Sequence, residues 1–158
     1  MKLRVATLND IPTLVEFGKS FIDEAPNYQN RHYCPESAEN HFKKLLKEGV
    51  IFVVEHNGLL CGGFAGGIGK DWFNNQKIAF DYVMYVKPDF RKTRVAYMLV
   101  SAFINWAKIL KADRIQCGTT TGVESLGCIR LYKHFGLREY GTVLDMELAH
   151  DRGYIARQ

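Results

Sequence analysis

Residues 81–110 read DYVMYVKPDFRKTRVAYMLVSAFINWAKIL: an apolar run, a proline, a basic turn and an apolar stripe at helical spacing. The run up to Val86 is rich in β-branched and aromatic residues, which suits a strand. Pro88 ends it. Beyond the turn, Val95, Leu99, Ala102, Phe103, Trp106 and Leu110 share one face of an amphipathic helix. A strand feeding a helix N-terminus through a tight basic turn is a candidate anion site. The first helical N–H groups lack partners, and the helix dipole favours negative charge there. Arg91, Lys92 and Arg94 place three cations at that end, where each opposes the dipole by roughly a few tenths of a kcal/mol unless an anion is present.

Working outward, Lys77 to Val86 forms the strand before the turn, and Arg114 to Gly118 a strand after the helix. Upstream, Asn57-Gly58 between two apolar runs is a strong hairpin signal, with strands near 50–56 and 59–68. The second of these is glycine-rich (Gly62, Gly63, Gly66, Gly67, Gly69), which implies bulges or close backbone approach. At the N-terminus, Leu3, Val5 and Ala6 suggest a short strand, and Thr7, Asn9 and Asp10 offer caps for a helix over about residues 10–24. A polar and aromatic loop from Ala25 to Pro35 leads to a second helix that Ser37 could cap and Gly49 ends. Downstream, Glu124 to Phe135 is helical, and Gly141 to Leu148 reads as a last strand. The order β α α β β β α β α β has no repeat and no linker. It predicts one mixed α/β domain over residues 1–158, in which an antiparallel meander leads into a β-α-β unit with parallel strands.

At 158 residues and 47% apolar composition, the chain has one domain's length and can bury a core. The net charge of +4 is mild and its cations are scattered, which argues against a nucleic-acid partner. No leader-like apolar segment opens the sequence, and no run approaches the roughly 20 apolar residues that span a bilayer. Cys34, Cys61, Cys117 and Cys128 are widely spaced, so free thiols in a reducing cytoplasm are expected. His32, His41 and His134 show no ligand spacing, and no metal is expected.

Two segments carry a family resemblance. Val83-Met84-Tyr85-Val86-Lys87-Pro88 followed by Arg91-Lys92-Thr93-Arg94-Val95-Ala96 resembles the strand-Pro-turn and (Arg/Gln)-x-x-Gly-x-(Gly/Ala) motif of the GNAT superfamily of acyl-CoA-dependent N-acetyltransferases. Leu131-Tyr132-Lys133-His134-Phe135-Gly136-Leu137 is similar to that family's Leu-Tyr-x-x-x-Gly-Phe. The resemblance implies a mixed sheet with splayed parallel strands, helices on both faces, and acetyl-CoA as co-substrate. It implies that Arg91, Lys92, Thr93, Arg94, Val95 and Ala96 form a pyrophosphate cradle. Met84, Tyr85 and Val86 would offer backbone groups to the pantetheine arm, and Ser125, where the family commonly has Asn, would border the cofactor. Arg94 stands in place of the family's middle Gly. Its side chain would either crowd the pyrophosphate or fold over it with charge-assisted hydrogen bonds, and the cationic turn favours the second.

By the same resemblance Tyr132 would protonate the leaving thiolate, for which a phenol of pKa near 10 is suited. Its place on an apolar helix face also fits a core role. Asp81, a carboxylate in an apolar strand, is the candidate general base, with an organising ion pair as the bland rival. Glu55 and His56 are alternatives near an exposed turn. Tyr28, His32, Tyr33, Trp72 and Phe73 fall in loops that, in the family, surround the acceptor. The expected function is acetyl transfer from acetyl-CoA to the primary amine of a small molecule or peptide by direct attack. The alternative is a GNAT-fold binding or structural protein with little or no CoA binding, for which Arg94 and Ser125 speak. The apolar run TVLDMEL is compatible with a homodimer.

Overall fold

Asn57 and Gly58 both adopt positive φ (53° and 78°), the twist-matched turn that closes a two-residue hairpin. They join β2 (Val50–His56) to β3 (Leu59–Lys70), and a looser turn joins β3 to β4 (Lys77–Val86). The computed structural model describes residues 1–149. With β1 (Lys2–Val5) and β5 (Arg114–Gln116) these strands form one sheet of order β1-β2-β3-β4-β5. All neighbours are antiparallel except β4 and β5, which run parallel. Parallel strands need a crossover, and α3 (Val95–Ile109) supplies it.

Helices cover both faces. On one, α1 (Ile11–Glu24) and α2 (Pro35–Glu48) pack Ile11, Leu14, Phe42 and Leu45 on Ile51, Val53 and Ala65. On the other, α3 and α4 (Ser125–His134) pack Val95, Leu99, Phe103 and Tyr132 on Val54, Cys61, Phe64 and Ala79. The glycines of β3 let α3 sit close. A Cβ at Gly66 would lie 2.6 Å from the Phe103 ring, and one at Gly62 would lie 2.7 Å from Val95 Cγ1. Side chains there would push α3 off the sheet and displace its N-terminus, where the anion-binding turn sits.

Two features of β4 shape the site. The β3–β4 register slips between Ala65 and Gly66, which face Val83 and Asp81, so Tyr82 is the extra, bulged residue. β4 also pairs with β5 only from Ile78 to Phe80, and beyond that the two strands part. This is the splay that the resemblance implied.

The structure corrects three local expectations. The cap of α2 is Cys34, with Pro35 at the first helical position, and Ser37 lies inside the helix. Pro35 fixes the start earlier because its missing N–H and preset φ suit that position. β5 stops at Gln116, because the Gly118 N–H leaves the ladder for the Asp81 carboxylate at 3.3 Å. Gly141 to Leu148 forms no strand. Its alternating residues suit a sheet, but no described strand pairs with it. Val143, Leu144, Met146 and Leu148 remain 64–90% exposed. A strand without a ladder partner has nothing to hold its backbone groups.

Candidate active site

The parting of β4 and β5 opens a pocket of about 360 Å³, within the usual size of a small-molecule site. Asp81, Met84, Tyr85 and Val86 from β4 form its floor, and Arg91, Thr93, Ala96 and Tyr97 its turn-and-helix wall. α4 contributes Gly127, Cys128, Leu131 and Tyr132, and the far wall comes from Phe21, Glu24, Tyr28 and Thr119 to Thr121. The two sequence motifs thus meet around one cavity.

Of the candidate site residues, Lys92, Arg94, Val95 and Ser125 stand outside the lining. Val95 is fully buried core against Gly62. Lys92 and Arg94 are exposed. Ser125 is the first residue of α4, three before Cys128, and the cavity is lined by Glu124, Gly127, Cys128, Leu131 and Tyr132 around it. Glu124, just before α4, sits in the left-handed region (φ 45°), an uncommon conformation for a side-chain-bearing residue.

The turn has the composition of an anion cradle. The Arg91 N–H donates to the Pro88 carbonyl and the Thr93 N–H to the Phe90 carbonyl. Among the described residues, the N–H groups of Lys92, Arg94, Ala96 and Tyr97 have no acceptor, and the first helical bond is Met98 N–H to the Arg94 carbonyl at 2.9 Å. Ala96 leaves room beside the helix end. Free N–H groups at a helix start, with the dipole behind them, match a phosphate.

Burial raises the Asp81 carboxyl to about 6, partly offset by the hydrogen bonds from Gly118. A carboxyl at that value changes charge near neutral pH, the range in which proton transfer is most effective. Tyr132 is 7% exposed, and burial, reinforced by the negative charge of Asp81, holds its phenol well above the ordinary range. It therefore stays protonated and its hydroxyl makes no hydrogen bond to another described residue. Cys117 and Cys128 are likewise pushed up by burial and remain thiols. All four cysteines are free.

Several loop residues fall elsewhere. Trp72 is 94% exposed and, like Phe73, is remote from the cavity lining. The Tyr33 hydroxyl donates to the Val15 carbonyl. Glu55 pairs with Arg4 at 3.1 Å. Phe21, Glu24 and Thr119 to Thr121 carry no distinguishing mark in the sequence. Their only local signal is a place near loop boundaries, because their proximity depends on contacts 67 to 93 residues apart. No helix among the described residues is long and apolar enough to cross a membrane, and no three His, Cys, Asp or Glu side chains there gather as a metal site.

Related proteins are found both in sequence and in fold. An uncharacterized N-acetyltransferase of Methanocaldococcus jannaschii is 34% identical over 108 residues, covering 65% of this chain and 46% of the relative. The chain thus matches less than half the length of that relative. A predicted acetyltransferase of Clostridium acetobutylicum solved with acetyl-CoA superposes with a TM-score of 0.73 at 19% identity, over 92% of this chain and 95% of that one. The aminoglycoside acetyltransferase AAC(6')-Iy, solved with a CoA-acetylneamine bisubstrate analogue, gives 0.75 at 15% identity over 94% and 98%. At such identities these structures show a shared fold. The acetyltransferase (GNAT) family profile matches residues 16–137, which span the cradle, both motifs and most of the sheet, and the chain belongs to that family.

Proposed function

We propose that the protein is an N-acetyltransferase that moves an acetyl group from acetyl-CoA to the primary amine of a small molecule or peptide by direct attack. The observation that carries this reading is the joining, in one cavity, of a helix-start cradle with free N–H groups to a carboxyl near pKa 6 and a protonated buried phenol. The free N–H groups of Ala96 and Tyr97 on the cavity wall, with those of Lys92 and Arg94 at its rim, hold the pyrophosphate, and the open edge of β4 beyond Phe80 faces the pantetheine arm. Asp81 takes the proton lost by the attacking amine. Tyr132 gives its proton to the sulfur as the C–S bond breaks and the N–C bond forms. The buried thiols of Cys117 and Cys128 disfavour a route through an acetylated cysteine, since the thiolate is the nucleophile.

The aminoglycoside acetyltransferases of similar fold point toward a small-molecule acceptor. The alternative of a fold kept without chemistry draws on Arg94 and Ser125, and with both side chains off the cavity lining neither departure supports it. We further propose a cytoplasmic protein, and a homodimer that covers the exposed apolar residues of 143–148. Light scattering would give twice the mass of one chain, and a single-chain mass at 0.1 mM would remove the dimer. The reaction itself is tested by titrating acetyl-CoA and then screening labelled acetyl transfer over a panel of amines. Saturable binding and transfer to at least one amine are expected. No binding at millimolar acetyl-CoA would sink the proposal.

A further inference from the structure

Arg91 opens the basic turn, yet its side chain is committed elsewhere. Its Nε donates to the Val86 carbonyl at 2.9 Å, and its Nη2 donates to Glu24 Oε2 at 2.8 Å. Its guanidinium carbon lies 5.7 Å from the centre of the Tyr85 ring. Arg91 and Glu24 side chains are 19% and 31% exposed, so the pair is half-buried and less screened than a surface pair. Its own backbone N–H is also taken, by the Pro88 carbonyl.

Glu24 is the last residue of α1, and the chain after it crosses to the other arm of the splay. Ala25 is fully buried. Asn27 N–H donates to the Thr121 carbonyl at 3.1 Å, and Asn27 Nδ2 donates to the Thr120 carbonyl at 2.8 Å. The hydroxyls of Tyr28 and Thr120 share a further hydrogen bond. Residues 24–28 are therefore pinned to the turn after β4 at one end and to the loop after β5 at the other. Glu24 and Tyr28 both line the cavity between those attachments.

We infer that Arg91 is a positioning residue for the acceptor wall and not a ligand of the cofactor's phosphates. Through Glu24 it fastens the α1–α2 connection across the splay, so that Phe21, Glu24 and Tyr28 keep their places beside Asp81. The phosphates are left to the free N–H groups further along the turn. The assignment rests on the acetyl-transfer reading for the identity of the two ligands, while the fastening itself does not.

The test compares Arg91→Gln, Glu24→Gln and the double variant. Acetyl-CoA affinity is read by calorimetry, and amide hydrogen exchange is followed over residues 24–30 and 118–123. The expected result is an acetyl-CoA Kd within threefold of wild type in all three proteins. Exchange in both segments should accelerate at least fivefold, equally in the two single variants and no further in the double one. With the amine that the panel identifies, acceptor KM should rise at least tenfold with kcat within threefold, and Arg91→Lys should recover part of that loss. A tenfold weaker Kd in Arg91→Gln, with Glu24→Gln unaffected, would make Arg91 a phosphate ligand and overturn the inference. Unchanged exchange in the two segments, or an unchanged acceptor KM, would overturn it as well. If wild type fails to bind acetyl-CoA at all, the functional reading falls and the exchange result alone decides whether the ion pair fastens the connection.

Discussion

The two walls of the cavity are built in different ways. The turn-and-helix wall comes from one continuous stretch, Arg91 to Tyr97, and its chief groups are backbone N–H donors. The far wall is assembled from the end of α1, the connection after it and the loop after β5, joined by hydrogen bonds and an ion pair between distant residues. A wall made of local backbone geometry tolerates side-chain change and so can serve one constant ligand. A wall made of side chains from separate segments changes its shape and chemistry with each of them. The fold is shared at 15–19% identity with AAC(6')-Iy and with the predicted acetyltransferase of Clostridium acetobutylicum, and a shared fold does not fix the chemistry of a site.

The largest effect should come from the group that sits between the walls. Asp81→Asn is expected to lower kcat/KM by about 10²–10⁴-fold, the range of a positioned general base, with acetyl-CoA affinity little changed. The pH dependence gives a second reading. Because burial raises this carboxyl to about 6, the active, ionised form is lost as pH falls through that value. A low-pH limb near 6 in kcat/KM should appear in wild type and be absent from the residual activity of Asp81→Asn. A limb that persists in the variant would assign the base to another group. Next in size, Tyr132→Phe should reduce kcat by roughly 10–100-fold while acetyl-CoA Kd stays within threefold, separating proton donation from binding. Unchanged turnover would leave Tyr132 as a core residue of α4 alone.

The same contrast explains what the sequence discloses. Asn57-Gly58, the strand-proline-turn after Asp81 and the stripe that begins at Val95 are short-range signals, and each element forms where it is expected, except that α3 ends at Ile109 and leaves Leu110 exposed beyond it. The glycines of β3 announce close approach, and Val95 and Phe103 supply it. The cradle is readable for the same reason: free N–H groups follow from where a helix starts. Glu24 is not, because its meaning depends on Arg91, 67 residues away. The segment from Gly141 to Leu148 has a strand's alternation, but a strand exists only where an edge receives it.

The smallest expected effect sharpens the comparison from the cradle side. Arg94 caps α3 by its backbone alone, and its side chain is exposed and off the cavity lining. The sequence alone favours a side chain folded over the pyrophosphate with a full charge-assisted hydrogen bond, a change of about 1–3 kcal/mol on removal. An exposed guanidinium off the lining acts mainly through screened attraction, so Arg94→Ala should weaken acetyl-CoA binding by only about 1 kcal/mol, roughly fivefold, at low salt. Raising the salt to about 0.5 M should erase that difference, because the Debye length then falls to a few ångströms. The affinity left in the variant at high salt measures what the backbone donors contribute without help from charge. If the loss is tenfold or more and survives high salt, Arg94 makes a direct bond to the phosphates, and the cradle wall would then depend on a side chain just as the acceptor wall does.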